Sequence, residues 1–255
     1  MNNRLDSVID MDSQDDDQGL SEKQLIARMA EPNPLVQRDL DDGRIIHSRT
    51  PSESSFNAFR ELRTDLLHRT GNENFVALVT SVVKGGGATH VAINLGSAIA
   101  LDRSHTALIV DCNIYHPTAH SVLKIDKSPG LTDFLADPDG VRIEDIIRPT
   151  GIPRLRAIPV GSRAGQETEN FGNLNMRLLI HMLQQRYPDR YIILDAPSMQ
   201  SAADTRILAD YADQIIAVVP YGRVTSSKVV DACRAFPVEK FAGVVLNRQP
   251  TLFGD

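Results

Sequence analysis

Phe75 to Ala100 reads FVALVTSVVKGGGATHVAINLGSAIA, and the order of its parts decides the fold. Phe75–Val79 is an unbroken apolar run of the kind found in buried strands. Gly85, Gly86 and Gly87 follow, and a helical pattern starts near Ala88. A strand, a glycine turn and a helix start bring backbone N–H groups and the positive end of a helix dipole to one point, which suits a phosphate. A loop of this kind ordinarily carries Lys immediately before its Ser or Thr, whereas here Ala88 precedes Thr89. The stretch therefore signals a nucleotide-binding fold more firmly than it signals catalysis.

Outward from this stretch, strands and helices alternate. Ser52 opens a helix from roughly Glu53 to His68, with Phe56, Phe59, Leu62 and Leu66 along one face and Gly71 beyond its end. Thr106–Val110 is a strand ending at Asp111. Leu131–Leu135 and Ile143–Ile147 are short helical pieces, and Arg156–Val160 is a strand leading to Gly161. A helix over Leu174–Gln185 precedes a strand over Tyr191–Leu194 that ends at Asp195. Gln214–Val219 is a strand, Thr225–Ala235 a helix, and Gly243–Leu246 a last strand ending at Asn247. Short, continuously apolar strands separated by helices predict a three-layer α/β/α domain around a mostly parallel sheet.

The 255 residues suit one such domain plus a tail. Residues 1–50 are expected to be an acidic, largely disordered tail, and 51–255 the domain. The tract from Asp10 to Asp17 is too acidic and too poor in apolar groups to repay its ordering entropy. A short amphipathic candidate with Leu25, Ile26 and Met29 follows Ser21, and Pro32 and Pro34 break what comes next. The tail is either loose or a partner-docking peptide. A net charge of −6 without a basic stripe argues against nucleic acid. Two cysteines, Cys112 and Cys233, make a disulfide framework unlikely to be the organising device, and a reducing compartment fits. No apolar run approaches the roughly 20 residues that span a bilayer. The expectation is a cytoplasmic protein with no direct membrane insertion, recruited to the inner membrane face only through a partner.

Three polar positions lie past the C-terminal ends of strands, where open α/β sheets bind ligands: the Ser81–Thr89 loop, Asp111 and Asp195. Mg²⁺ takes oxygen ligands, commonly one or two carboxylates plus phosphate and water. Thr89, Asp111 and Asp195 supply that set. Either Asp alone could equally be a turn former, but the two together with the glycine loop favour the metal. His116 and His120 have an i,i+4 spacing, but a proline intervenes and no third ligand is evident. His90 either faces the ligand or points to solvent, and the solvent reading is preferred.

These segments resemble the cytoplasmic domain of the bacterial tyrosine kinases (BY-kinases), in the MinD/ParA-like branch of P-loop ATPases. Ser81-Val82-Val83-Lys84-Gly85-Gly86-Gly87-Ala88-Thr89-His90 aligns with the family's Walker A loop, SxxPGEGKST. Leu108 to Pro117 resembles the Walker A′ segment LIDADLRRP, and Ile192 to Pro197 the Walker B segment VIIDTPP. Pro129–Leu135, the stretch around Asp204, and Gly243–Asn247 match further blocks. The resemblance covers about Glu53 to Asn247. It implies ATP or ADP and Mg²⁺ as cofactors, with Lys84, Gly85, Gly86, Gly87, Ala88, Thr89 and His90 at the nucleotide, Asp111, Asn113 and Asp195 as catalytic positions, and Asn247 at an adenine edge or a plain strand end. It also implies self-association through Arg60 and Arg63 of the helix before the loop, and a membrane-embedded polysaccharide co-polymerase or chain-length protein as partner.

The departures weigh as much. Ala88 stands where the phosphate-contacting Lys is expected, Asn113 where the second Asp is, and Tyr115 and His116 where a paired Arg is. The chain ends QPTLFGD without a tyrosine cluster. Lys84 lies four residues before Ala88, one position off the extra signature lysine of MinD/ParA relatives. It is either a replacement cation or a solvated loop lysine. Three functions follow: a nucleotide-binding regulator in exopolysaccharide or capsule production with weak or no kinase activity, an active kinase or ATPase using Lys84, or a nucleotide-independent interaction module.

Overall fold

The computed structural model describes residue 31 and residues 33–164, 170–187, 189–200 and 202–250. Seven strands form one sheet: β1 (Val76–Ser81), β2 (Thr106–Asp111), β3 (Arg148–Pro149), β4 (Leu155–Ile158), β5 (Arg190–Asp195), β6 (Gln214–Pro220) and β7 (Phe241–Asn247). Their order is β3-β4-β2-β5-β1-β6-β7. Every pairing is parallel except that of β3 with β4.

The helices are α1 (Gln37–Asp42), α2 (Glu53–Arg69), α3 (Ala88–Ala100), α4 (Ala119–Val122), α5 (Leu131–Ala136), α6 (Ile143–Ile146), α7 (Leu174–Arg186), α8 (Ala202–Asp210) and α9 (Ser226–Cys233). Successive residues of a strand point to opposite faces, and β1 divides accordingly. Val76 and Leu78 enter one apolar cluster with α5, α7 and α8. Ala77 and Val79 enter the other with α3 and Leu66 of α2. Both faces are covered, so all six residues of β1 are buried. The expected three-layer α/β/α architecture is present.

Local chemistry explains where the helices begin. Ser52 accepts a hydrogen bond from the Ser55 N–H at α2, and Asn173 accepts one from Met176 N–H at α7. The helix α3 is apolar nearly all round and buried along its length. Gly96 lets it lie close on the sheet, because a Cβ there would stand 2.9 Å from a methyl of Leu155.

Sequence and structure part at the N-terminus. The segment from Leu35 to Thr50, placed in the tail by composition, packs on the body. Ile45 and Ile46 are each 2 % exposed, and the buried side chain of Asn94 in α3 clasps them in place. Its Oδ1 accepts from Ile46 N–H at 2.7 Å and its Nδ2 donates to Arg44 C=O at 3.2 Å. Two isoleucines in a polar stretch are a weak signal without their partner. The acidic tract, the helix candidate around Leu25 and the last five residues lie outside the described residues.

Candidate functional site

Strand register builds the floor of the site. Asp111, the last residue of β2, lies opposite Asp195, the last residue of β5, and Asp195 lies opposite Val79 of β1. The loop leaving β1 two residues further on, after Ser81, leads to Thr89, whose hydroxyl neighbours Asp195. Asp111 and Asp195 are fully buried. Asp111 Oδ1 accepts from Asn113 N–H at 3.1 Å, whereas Asp111 Oδ2 and both oxygens of Asp195 lack a well-formed hydrogen bond among the described residues, the Thr89 hydroxyl standing beside Asp195 and the Ala119 amide beside Asp111. Burial is the main influence on both acids. It pushes Asp111 up to about 7, against the Asn113 and Ala119 amides and the Lys127 charge. It pushes Asp195 well above the usual carboxylate range, helped by Asp111 and opposed by the neighbouring Thr89 hydroxyl. Burial and both acids keep the Cys112 thiol neutral.

Three orphaned, buried carboxylate oxygens beside a threonine hydroxyl fit a hard divalent cation. Mg²⁺ needs few protein ligands when phosphate and water complete its shell. Among the described residues no cluster of three or more His, Cys, Asp or Glu side chains forms a metal cage, and His116 and His120 do not make one.

The loop is shaped by its glycines and by what surrounds them. Gly85 and Gly87 have φ of +70° and +96°, which L-residues rarely adopt. A Cβ on Gly86 would meet Ser81 Oγ at 1.9 Å, and one on Gly87 would meet Asn247 Nδ2 at 2.2 Å. Gly87 is also the N-cap of α3 and brings no side-chain cap. The first amides of α3 therefore have no intrahelical acceptor and remain for an anion.

A cleft of about 930 Å³ is lined by Ser81, the loop from Lys84 to His90, Asn113, Tyr115, Asp39, Lys124, Ala196, Ser198 and Arg248. Asp111 and Asp195 lie buried behind its wall, close to Asn113 and Ala196 in the chain. The structure thus brings together most of the residues expected from the sequence. Lys84 is exposed, and its backbone N–H donates to Gln200 Oε1 at 3.4 Å. Ala88 lines the cleft in the position where a lysine was looked for. Asn113 Oδ1 accepts from His116 N–H at 3.2 Å, so it shapes its own turn.

Other expectations need correction. His90 does not simply point to solvent: it is half-buried, lines the cleft, and lies within reach of Asn94. Burial, then the charges of Arg44 and Arg248, push its protonation below the usual histidine range. Asn247 Nδ2 donates to Gly86 C=O at 3.0 Å and its Oδ1 accepts from Arg248 N–H at 2.8 Å. The side chain considered for an adenine edge therefore clasps the glycine loop. Of the two arginines considered for subunit contact, Arg63 is half-buried and donates to Ala98 C=O at 3.0 Å within the same chain. Arg60 stays exposed, stacked 5.5 Å over the Phe56 ring.

Two participants, Lys124 and Arg248, escaped the sequence reading, and Tyr115, noted there only as standing where a paired Arg is expected, has a partner that was not foreseen. Tyr115 donates to Asp204 at 2.5 Å, and that bond is the chief reason its phenol is pushed up to about 12. Lys124 pairs with Asp39 at 2.7 Å across the rim. Arg248 follows Asn247 at the end of β7, and only its place next to a strand end marked it. No described helix is long and apolar enough to cross a membrane.

No family model matches the chain. Among curated proteins it is 28% identical over 217 residues to the tyrosine-protein kinase CpsD of Streptococcus agalactiae, covering 84% of this chain and 89% of that one. It is 29% identical over 188 residues to the putative tyrosine-protein kinase EpsB of Ralstonia solanacearum, covering 72% of this chain and 24% of that one. The succinoglycan biosynthesis transport protein ExoP of Rhizobium meliloti matches at 24% over 185 residues, covering 70% and 23%. Among solved structures, the chimerical protein CapA2B2 superposes with a TM-score of 0.73 at 23% identity, covering 91% of this chain and 100% of that one. The kinase domain of Escherichia coli tyrosine kinase ETK gives 0.68 at 21%, covering 88% and 92%. The septum site-determining protein MinD of Pyrococcus horikoshii, complexed with Mg-ADP, gives 0.52 at 22%, covering 68% and 69%. The chain's homologues are bacterial tyrosine-protein kinases, and its fold is that of BY-kinase domains and MinD/ParA-like P-loop ATPases.

Proposed function

We propose that this protein binds ATP or ADP with Mg²⁺ at the glycine loop and acts as a regulator in exopolysaccharide or capsule production, with weak or no kinase activity. Its partner in this reading is a membrane-embedded chain-length or co-polymerase protein, which recruits it to the inner membrane face. One observation carries the proposal: an orphaned Asp111/Asp195 pair lies beneath uncapped helix amides while Ala88 occupies the cation's place. The chemistry divides along that line. Thr89, Asp111 and Asp195 would hold Mg²⁺, which supplies charge neutralisation at the phosphates. The amides of α3 bind the anion in the ground state. Phosphoryl transfer additionally needs cationic stabilisation of charge that develops during the step, and position 88 cannot give it. Asn113 is neutral and spent on its turn, so it offers a hydroxyl nucleophile no base.

The decisive experiment measures Mg·ATP binding by calorimetry beside turnover, for wild type, Ala88→Lys and Lys84→Ala. Binding without turnover in the wild type is expected. Absence of nucleotide binding at any accessible concentration would overturn the proposal in favour of an interaction module. The exposed Lys84 at the cleft favours one alternative, an active kinase or ATPase that uses it. Wild-type turnover abolished by Lys84→Ala would select that alternative.

A further inference from the structure

Resting on the nucleotide reading above, we propose that Arg248 is the side chain that meets the phosphate groups at the glycine loop. Three full cations line the cleft: Lys84, Lys124 and Arg248. Lys124 is neutralised by Asp39 at 2.7 Å. Lys84 stands at the exposed front of the loop, fixed through its backbone and not its ammonium.

Arg248 is placed differently. The preceding residue, Asn247, donates to Gly86 C=O at 3.0 Å and fills the space a Cβ of Gly87 would take. Asn247 Oδ1 also accepts the backbone N–H of Arg248 at 2.8 Å. The base of the arginine is thus tied to the two glycines that end the loop. Its backbone is in the left-handed region, with φ of +60°, a conformation that non-glycine residues rarely adopt. Its guanidinium forms no ion pair among the described residues, and it lines the same cleft as Thr89 and His90. An arginine without an ion pair among the described residues therefore lines the same cleft as the start of α3, whose first amides have no side-chain cap.

A guanidinium offers several fixed donors to phosphate oxygens. Reaching in from β7, Arg248 substitutes for the missing loop cation in binding without occupying its position in the loop. This separates affinity from catalysis in a way that suits a nucleotide-dependent regulator.

The test is calorimetry on wild type, Arg248→Ala, Arg248→Lys and Lys84→Ala, with Mg·ATP, Mg·tripolyphosphate and adenosine as probes. Arg248→Ala should weaken ATP and tripolyphosphate roughly 10- to 100-fold and leave adenosine unchanged, with Arg248→Lys recovering part of the loss. Lys84→Ala should lose less affinity than Arg248→Ala does. Arg248 is exposed, so an unchanged melting temperature should accompany each variant. Wild-type affinity for tripolyphosphate in Arg248→Ala would overturn the assignment. Equal losses for ATP and adenosine would overturn it too, as the mark of a base contact, and so would a larger loss in Lys84→Ala. A wild type that binds none of the probes would instead sink the nucleotide reading itself.

Discussion

The floor and the rim of the cleft are built on different principles. The floor is two strand ends held in register, Asp111 and Asp195, both at 0 % exposure, with Thr89 beside Asp195. The rim is a set of exposed or half-exposed side chains, Lys84, Asp39, Lys124 and Arg248, delivered by a loop, a short helix and the turn after an edge strand. The floor acids are fixed in place by strand register and burial. A rim cation can be lost and replaced from another element, because exposed charges carry little of the fold's stability. The contrast separates an acid pair fixed by strand register from cations carried on exposed elements.

The largest effect should come from breaking the floor. Asp195→Asn is expected to abolish Mg²⁺-dependent nucleotide binding while raising the metal-free melting temperature at pH 8 by roughly 2–8 °C. The gain arises because a carboxyl whose ionisation is opposed by burial and by Asp111 is removed. A fall in stability would mean that the carboxylate has a partner of its own.

The sign of the pH dependence follows from the same pair. Asp111 is raised from 3.8 to about 7, so between those values the folded state holds a proton that the unfolded state has released. Metal-free stability should therefore fall as the pH rises through that window. Mg²⁺ should flatten the slope. Melting curves in chelator and in excess Mg²⁺ check both statements.

Gly87→Ala tests the join between floor and rim. The new methyl would stand 2.2 Å from Asn247 Nδ2 at a φ of +96°, so either the clasp or the loop must give. About 1–3 kcal/mol of stability and most nucleotide affinity should be lost, read from denaturant unfolding and calorimetry.

At the rim, Ala88→Lys restores a charge-assisted contact of about 1.5–3 kcal/mol and should tighten Mg·ATP roughly 10- to 150-fold. Turnover should rise less, with Asn113 unchanged. Least affected should be Lys124→Ala. Its ion pair with Asp39 is more than half exposed on the lysine side, so melting should shift by about 1 kcal/mol or less. A larger shift would show that the α1 segment is held to the cleft chiefly by charge, and not by Ile45, Ile46 and the Asn94 clasp.

The strands and the long helices were legible because their signals are local. Val76–Ser81, Thr106–Asp111 and Gln214–Pro220 are apolar on both faces, and Ser52 and Asn173 cap their helices with the residue types that do so. Thr89, Asp111 and Asp195 could be gathered in advance because parallel strands end on one side of a sheet. The inward turn of Arg63, the half-buried His90, the clasp of Asn247 and the docking of Leu35–Thr50 could not. Each depends on a partner far away in the chain, such as Ala98, Arg248, Gly86 or Asn94, and no periodicity names it.

The chain alone therefore determined the layers, the glycine turn, the two strand-end acids and the absence of the loop lysine, since propensity, periodicity and strand-end position are properties of short segments. Folding decided which oxygens are left without partners, which cation stands near the empty amides, and which arginine is spent inside the body. Those outcomes depend on distances between segments that only packing brings together.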